Sequence, residues 1–293
     1  MKQGAKIPES ENRRSDRLSS VKKNFGSGAT MKKGMLVVLI LLLSVLAFAD
    51  KNLVYDSMTE KVVLLFNKQG GFSLESWIGS GVIISDDGYI VTNRHVAGYY
   101  CKENGVDDYG QPKFELGGNG ANLIVYHEDW GYGGCRIVAV SVDPELDLAL
   151  LKIEPIDLLP YAEIAYTEKI KSGTVVYAVG HPLGVGWMMT KGIISKEFET
   201  VRHNRLLIHD ASINPGNSGG PLFDEYGYVV GLNYAAVPPY AAENIAIAID
   251  AKMIGEFVMI SIEFDKKRNF TMTEDDYNKS VWSSKYFTFR LGE

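Results

Sequence analysis

The sequence predicts an all-β protein with one helix near its C-terminus, and two observations carry this prediction. The first is a series of short runs of β-branched and aromatic residues separated by turn residues such as those at 86–88, DDG. The second is a break at residues 154–163, where Pro155 and Pro160 divide these runs into two groups. Many short strands with turns between them are typical of a sandwich or of barrels.

The predicted strands follow one another without a helix between them until about residue 250. The first group lies at residues 62–66, 80–85, 89–92, 123–126, 137–140 and 148–153. The second group lies at residues 174–179, 192–195, 206–208, 220–223, 228–232 and 244–249. A short helix is predicted after the last strand, at about residues 251–260.

The composition excludes several classes of function. The chain has 293 residues, of which 46% are hydrophobic and 11% aromatic, and this is enough for a large core. A net charge of -6 and a pI of about 5.5 give no general attraction to phosphate backbones, so we expect no nucleic-acid partner. Two cysteines without histidines at ligand spacing are too few for a metal site, and no cofactor is predicted.

The N-terminus differs from the rest of the chain. Residues 1–30 are rich in Ser, Gly, Lys and Arg, so they are expected to be a disordered leader or a mis-assigned start. Residues 31–49 have the composition of a signal peptide, with two lysines, an apolar run at 35–48 and an A-x-A site at 47–49. If uncleaved, the apolar run would anchor the chain in a membrane. Both interpretations predict that the folded part, from about residue 50, is exported to the periplasm or the extracellular space.

Export makes Cys101 and Cys135 a candidate disulfide, because oxidising compartments favour pairing of two cysteines in one folded region. Two buried, unreactive thiols are the alternative. The segment between the two cysteines is rich in Gly, Asp and Tyr. It is either a capping loop near a cleft or a surface excursion.

The stretch at 212–222, SINPGNSGGPL, places Ser218 among three glycines. Glycine allows positive φ and close approach of another molecule to the backbone. A lone G-x-S-x-G motif fits a tight turn as well as a catalytic nucleophile. A nucleophilic serine needs a base and a third group that orients the base. All five histidines precede Ser218, which excludes the chain order of the α/β-hydrolases, where the histidine follows the serine.

His95 and Asp147 are the best candidates for the base and the orienting acid. His95 ends the strand-like stretch 89–97, where a side chain can face a cleft. Asp147 begins the apolar run 147–153, which would bury its carboxylate unless a histidine N–H received it. The resulting chain order is His, Asp, Ser.

Four sequence blocks, in this order, resemble those of the HtrA/Deg branch of the trypsin-like serine proteases. The blocks are TNRHV at 92–96, DLALLK at 147–152, AVGHPLG at 178–184 with TKGIIS at 190–195, and NPGNSGGPL at 214–222. The resemblance covers most of residues 50–262. It implies two six-stranded antiparallel β-barrels, at about 53–155 and 164–250, with the active site in the cleft between them. Residues 263–293 are too few for the PDZ domain common in this branch and are expected to form a tail.

The resemblance also implies a role for each site residue. Ser218 attacks the scissile carbonyl, His95 accepts its proton and later gives it to the leaving amine, and Asp147 orients the imidazole. The oxyanion hole is formed at Gly216, Asn217 and Ser218, with the backbone N–H groups of Gly216 and Ser218 as donors.

Specificity is predicted from the residues around the serine. The resemblance to trypsin-like enzymes implies that Ser212, six residues before the serine, lies at the base of the S1 pocket. Ser212 is uncharged, so the acid that binds Lys or Arg in trypsin is missing. Ile213 and a strand edge at Gly231, Leu232 and Asn233 predict an apolar pocket for small or medium P1 side chains, with the substrate paired along that edge. The alternative is that Ile213 and Leu232 belong to the core.

Together these residues predict an exported serine endopeptidase that hydrolyses unfolded or damaged proteins, with protein or peptide substrates as its partners. Two alternatives are a catalytically silent barrel that binds unfolded protein and an esterase on the same scaffold. An oligomer is compatible with the sequence but is not predicted by it.

Overall fold

A computed structural model describes the folded part of the chain. The described residues are 54–67, 77–106, 112–117, 123–165, 169–182, 186–236, 244–271, 282–283 and 288–291. The predicted leader and signal segment, residues 1–49, lie outside them. Within the described ranges, no helix has the length and apolar character needed to cross a membrane.

Nine strands precede residue 153. In chain order they are β1 (Val62–Asn67), β2 (Trp77–Ile83), β3 (Tyr89–Thr92), β4 (Tyr100–Val106), β5 (Pro112–Gly117), β6 (Leu123–His127), β7 (Gly131–Gly134), β8 (Arg136–Ser141) and β9 (Ala149–Lys152). Strands β4 and β5 pair only with each other. The other seven join the antiparallel sheet that carries the first half of the candidate site.

Six strands of the second half close into a barrel. They are β10 (Val175–Gly180), β11 (Met188–Glu199), β12 (Arg205–His209), β13 (Pro221–Asp224), β14 (Val229–Ala236) and β15 (Ala246–Asp250). Their order around the barrel is β10-β11-β12-β15-β14-β13, with every pair antiparallel. Closure removes the exposed sheet edges that favour aggregation.

A long helix follows the barrel, at Ala251–Thr271. Asp250 starts it, because its Oδ1 accepts a hydrogen bond from the backbone N–H of Lys252 at 2.8 Å, as an N-cap residue does. Farther along, Asp265 binds Arg136 of β8 through two hydrogen bonds of 2.7 and 2.8 Å. The helix therefore connects the end of the second barrel to the first sheet.

Two further strands extend the first sheet. They are β16 (Trp282–Ser283) and β17 (Thr288–Leu291), and β17 pairs with β8. The sheet then has nine strands in the order β16-β17-β8-β9-β3-β2-β1-β6-β7.

The predicted all-β fold with two units and a helix is confirmed. All twelve predicted strands are present, and the turn at 86–88 joins β2 to β3 as expected. Three details differ. The first unit is a nine-stranded sheet in the described residues, since β7, β16 and β17 add to the six expected strands. The helix ends at Thr271 and not near residue 260. The segment predicted as a tail contains the end of that helix and two strands.

The two β-units and the helix share one hydrophobic core. A single cluster of buried side chains includes Val82 and Leu148 from the first unit, Phe223 and Ile249 from the barrel, and Phe257 from the helix. Burying a side chain of this size contributes about 1.5–3 kcal/mol. The shared core fixes the two units against each other, and the loops that carry the candidate site lie where they meet.

The structure does not form the predicted disulfide, because Cys101 and Cys135 are both free thiols. The Cys101 Sγ donates to the Val142 carbonyl at 3.2 Å, and the Cys135 Sγ faces the Leu123 carbonyl at 3.7 Å. Burial raises the pKa of both thiols, that of Cys135 to about 12. The thiolate form needed for disulfide exchange is therefore disfavoured at neutral pH.

Candidate active site

His95 and Asp147 are in direct contact. His95 lies in the turn after β3, and Asp147 lies just before β9, the strand that pairs with β3. The His95 Nδ1 is 2.5 Å from the Asp147 Oδ2, and the His95 backbone N–H donates to the Asp147 Oδ1 at 3.0 Å. An ionised carboxylate only accepts hydrogen bonds, so Nδ1 carries the proton and Nε2 is left as the acceptor.

Burial differs sharply between these two side chains. The side chain of Asp147 is 5% exposed, whereas that of His95 is 45% exposed. A buried carboxylate requires hydrogen-bond donors. The backbone N–H and the Nδ1–H of His95 provide two of them. The imidazole is consequently held in one orientation while its outer edge stays open to a substrate.

Two residues that were not singled out from the sequence hold the Asp147 loop. The Arg94 Nη1 donates to the backbone carbonyls of Ser141, Asp143 and Leu146, at 2.9, 2.7 and 3.1 Å. Its Nε is 3.6 Å from the Asp147 Oδ1. The Asn93 Nδ2 donates to the Asp147 carbonyl at 2.9 Å. Both residues adjoin His95 in sequence, but nothing in the sequence identifies carbonyls about 50 residues away as their partners.

Ser218 is held beside the His95 segment by tight backbone packing. Its carbonyl accepts a hydrogen bond from the Ser80 N–H of β2 at 2.8 Å. The next residue, Gly219, has φ +79°, and a Cβ there would lie 2.2 Å from the Thr92 Oγ1 and 3.0 Å from the Asn93 backbone nitrogen. Only glycine permits this approach. It brings residues 214–220, the serine loop, against the end of β3, three residues before His95.

The serine loop leaves two backbone N–H groups available. Those of Asn217, Gly219 and Gly220 donate to the carbonyls of Asn214, Asn233 and Asn217 at 2.8–3.0 Å. The N–H groups of Gly216 and Ser218 donate to no acceptor among the described residues. Gly216 has φ +103°, a conformation that L side chains rarely adopt. The two free donors are the ones that the sequence assigned to an oxyanion hole.

The predicted substrate edge at Gly231, Leu232 and Asn233 is wrong. All three residues are buried inside the barrel wall. Leu232, for example, pairs with Pro221 of β13 on one side and with Ile249 of β15 on the other. A strand with neighbours on both sides has no hydrogen-bonding groups left for a peptide.

Within the described residues, the edge of β14 is open just beyond Asn233. Ala235 and Ala236 pair with β15 on one side, and β13 has already ended on the other. Tyr234 forms a bulge before them, near the catalytic candidates. Burial raises the pKa of the Tyr234 phenol, and the neighbouring charge of Asp147 raises it further.

Ser212 and Ile213 come directly before the serine loop, and they lie in different environments. Ser212 is exposed, and its carbonyl accepts a hydrogen bond from the Thr190 Oγ1 at 2.7 Å. Ile213 is partly buried and packs against the barrel core. The packing of Ile213 fits the alternative that it belongs to the core, and Ser212 brings no charge to this segment.

Three well-buried histidine side chains are not part of this site. Burial lowers the pKa of His127 and of His181, and it lowers the pKa of His209 to about 4. His127 stacks on Trp130, His181 meets the edge of Trp187, and His209 faces the Asn233 side chain. No group of three His, Cys, Asp or Glu side chains able to hold a metal occurs within the described part of the chain.

The fold and this site define a class of protein. Residues 79–232, just over half of the chain, match the trypsin-like peptidase domain family, so the chain belongs to that family.

Among curated proteins, the chain is similar to two kinds of protease. It is 34% identical over 189 residues to the probable periplasmic serine endoprotease DegP-like of Bartonella henselae, which covers 63% of this chain and 33% of that protein. It is 35% identical over 190 residues to the magnetosome formation protease MamE of Paramagnetospirillum magneticum, covering 62% of this chain and 23% of MamE. The chain thus spans about a quarter to a third of these relatives.

Solved structures give the same result. A serine endoprotease from Yersinia pestis has a TM-score of 0.54 and 31% identity, over 72% of this chain and 66% of that one. The HtrA-type protease AlgW with a bound tripeptide has a TM-score of 0.55 and 33% identity, over 71% of this chain and 62% of that one. The resemblance to HtrA/Deg proteases is confirmed.

Proposed function

We propose that this protein is a serine endopeptidase whose nucleophile, base and orienting acid are Ser218, His95 and Asp147. The observation that carries the proposal is the contact between His95 and the buried Asp147, which leaves the Nε2 of the imidazole as a proton acceptor. Packing of Gly219 against the end of β3 supports it, because this packing brings Ser218 to the same side of the molecule.

The reaction proceeds in two acyl-transfer steps. Ser218 Oγ attacks the scissile carbonyl carbon and gives its proton to His95 Nε2, and the imidazolium then passes this proton to the leaving amine. Water repeats the sequence on the acyl-enzyme and releases the second product. Asp147 holds the imidazole in the Nδ1–H tautomer and stabilises its positive charge.

The free N–H groups of Gly216 and Ser218 stabilise the oxyanion that forms in each step. Loss of one such donor in a protease costs about 2.7–4 kcal/mol of transition-state stabilisation. Asn217 lies between them and is 3% exposed, so its side chain packs inward and leaves the backbone to the substrate.

The substrate pairs as an added strand with the open edge at Tyr234, Ala235 and Ala236. Ser212 provides no negative charge for a basic P1 side chain, and Ile213 provides an apolar wall. Small or medium apolar P1 residues are therefore preferred. Extended pairing of this kind requires an unfolded segment, which supports unfolded or damaged proteins as the substrate class.

The protease domain acts outside the cytoplasm. The composition of residues 31–49 supports this location, and DegP-like relatives are named as periplasmic. Whether the apolar run is removed or serves as an anchor is decided by the N-terminal sequence of the purified protein.

The test is digestion of an unfolded model protein by the full chain, beside Ser218→Ala and a control, Ser85→Ala. Ser85 is a serine in the β2–β3 turn whose Oγ binds Asp87. We expect cleavage by the parent and by Ser85→Ala but not by Ser218→Ala, with apolar P1 residues identified by mass spectrometry. Cleavage after Lys or Arg would contradict the apolar pocket, and no cleavage by a folded parent would favour a binding module.

A further inference from the structure

Ser80, on β2, is fully buried where the first sheet meets the serine loop. Its backbone N–H donates to the Ser218 carbonyl at 2.8 Å, and its carbonyl accepts from the Thr92 Oγ1 at 2.7 Å. Its hydroxyl makes two further hydrogen bonds, with the His181 backbone N–H at 3.0 Å and with the Gly216 carbonyl at 2.7 Å. One side chain therefore connects the end of β10 to the serine loop.

The direction of the Ser80 hydroxyl is determined by its partners. A backbone N–H can only donate, so the lone pair of Oγ receives the His181 N–H. A carbonyl can only accept, so the single proton of the hydroxyl goes to Gly216. The only proton of this hydroxyl is committed to the Gly216 carbonyl, which is held toward β2.

With this bond in place, each peptide group from Gly216 to Gly219 is restrained. The Gly216 carbonyl binds Ser80, the Asn217 carbonyl accepts from Gly220, and the Ser218 carbonyl accepts from the Ser80 N–H. Rotation of the peptide between Gly216 and Asn217 would have to break the Ser80 bond. Gly216, with φ +103° and no side chain, provides little resistance to such a rotation by itself.

The surroundings of Ser80 leave little room for another donor. A Cβ on Gly180 would lie 3.1 Å from the Ser80 Oγ, and a Cβ on Gly220 would lie 3.1 Å from the Ser80 Cβ. Removal of the hydroxyl would take this partner from the partly buried Gly216 carbonyl and from the buried His181 N–H.

We propose that Ser80 is a positioning residue that holds the serine loop in the conformation with the Gly216 and Ser218 N–H groups available to an oxyanion. The effect of Ser80 on kcat rests on the proposed function. The effect of Ser80 on the conformation of the serine loop does not depend on the proposed function, and the two effects are measured separately.

The variant is Ser80→Ala, and Ser261→Ala is its matched control. Ser261 is also fully buried, and its hydroxyl also donates to a backbone carbonyl at 2.7 Å, that of Phe257 in the long helix. Loss of a buried serine hydroxyl is therefore common to both variants. Only Ser80→Ala affects the serine loop.

The first measurement is amide hydrogen exchange of a peptide covering residues 212–222, which requires no activity. We expect exchange in this peptide to be about tenfold faster in Ser80→Ala than in the parent and unchanged in Ser261→Ala. Equal exchange in all three folded proteins would overturn the proposal.

The second measurement is kcat and KM on a peptide substrate. Removal of an oxyanion donor lowers kcat by about 10²–10³, and loss of its support is expected to lower kcat by about 10- to 100-fold. KM should stay within about twofold, because the pairing edge is unchanged. A kcat equal to that of Ser261→Ala would overturn the catalytic part. An inactive parent with a loosened loop in Ser80→Ala would overturn the proposed function and leave the structural role of Ser80 supported.

Discussion

The two halves of the candidate site are built by different means. The half on the first sheet depends on side chains, since Asp147, Arg94 and Asn93 hold His95 and its loop through side-chain hydrogen bonds. The half on the second barrel depends on the backbone. Ser218 is fixed by carbonyls, N–H groups and glycines that have no room for a side chain. The first half should therefore be sensitive to loss of its own side-chain atoms. The second half, apart from the support that it receives from the Ser80 hydroxyl of β2, should be sensitive to their addition.

The largest expected effect is a loss of kcat in the half of the site on the first sheet, which depends on side chains. In Asp147→Asn, the carboxylate that accepts the His95 Nδ1 proton is replaced by an amide that can donate, which favours the wrong imidazole tautomer. We expect kcat to fall by about 10⁴, as for the corresponding change in the serine protease triad, with little change in fold. The control is Asp143→Asn, on the same loop, whose carboxylate contacts Asn204. A kcat within tenfold of the parent for Asp147→Asn would contradict the assignment.

The next expected effect is a loss of stability in the half of the site on the second barrel, which depends on the backbone. Gly219 and Gly227 both have positive φ, +79° and +84°. A Cβ at Gly219 would lie within 2.4 Å of two atoms, whereas a Cβ at Gly227 would meet nothing within 4 Å. We expect Gly219→Ala to destabilise the protein by about 3 kcal/mol or more and Gly227→Ala by about 1 kcal/mol. Urea unfolding measures both, and equal losses would show that crowding at Gly219 is unimportant.

The third prediction concerns His209, a fully buried histidine at the end of β12. Burial lowers the pKa of His209 from 6.5 to about 4 in the folded protein. The unfolded chain then binds the proton more readily, so the contribution of neutral His209 is complete above pH 6.5 and is lost as the pH falls toward 4. The loss is about 3 kcal/mol. Asp250 acts in the opposite direction, because burial raises its pKa to about 6 and its contribution falls as the pH rises toward that value.

Urea unfolding at pH 7, 5.5 and 4.5 isolates the His209 contribution. The difference in unfolding free energy between the parent and His209→Gln should shrink as the pH falls, since Asp250 is common to both proteins. His203→Gln serves as the control, because His203 is exposed. A difference that is independent of pH would show that His209 does not titrate in this way.

The smallest expected effect is the change in unfolding temperature when the two cysteines of the first half are exposed to a reductant. Because both thiols are free, addition of a reductant should change the unfolding temperature by less than about 1 °C. The intact mass should match two thiols. A mass lower by two hydrogens, with a fall in the unfolding temperature on reduction, would establish the disulfide that the sequence predicted.

The sequence predicts well what depends on local pattern. Strands such as β3 and β9 follow from β-branched and apolar runs, and Ser218 stands out because its glycine-rich surroundings have few other uses. His95 and Asp147 follow from the chain order of the motifs.

The sequence predicts poorly what depends on pairing and on distant hydrogen bonds. The open edge of β14 lies at Tyr234, Ala235 and Ala236 because the pairing with β13 does not go past Leu232. The residues of β14 themselves do not indicate how far the neighbouring strand extends. The Ser80 hydroxyl meets a carbonyl 136 residues later. Weak strands such as β7, Gly131–Gly134, have few side chains that would predict them, and they form because a neighbouring strand provides the partner.

The most direct test of the central account is covalent labelling of the nucleophile. The parent, His95→Ala and Ser218→Ala are treated with a fluorophosphonate, and the modified residue is located by peptide mass spectrometry. We predict one adduct, on Ser218 of the parent, with strongly reduced labelling of His95→Ala and none of Ser218→Ala. Labelling that is equal in the parent and in His95→Ala, or that falls on another residue, would contradict activation of Ser218 by the base held on Asp147.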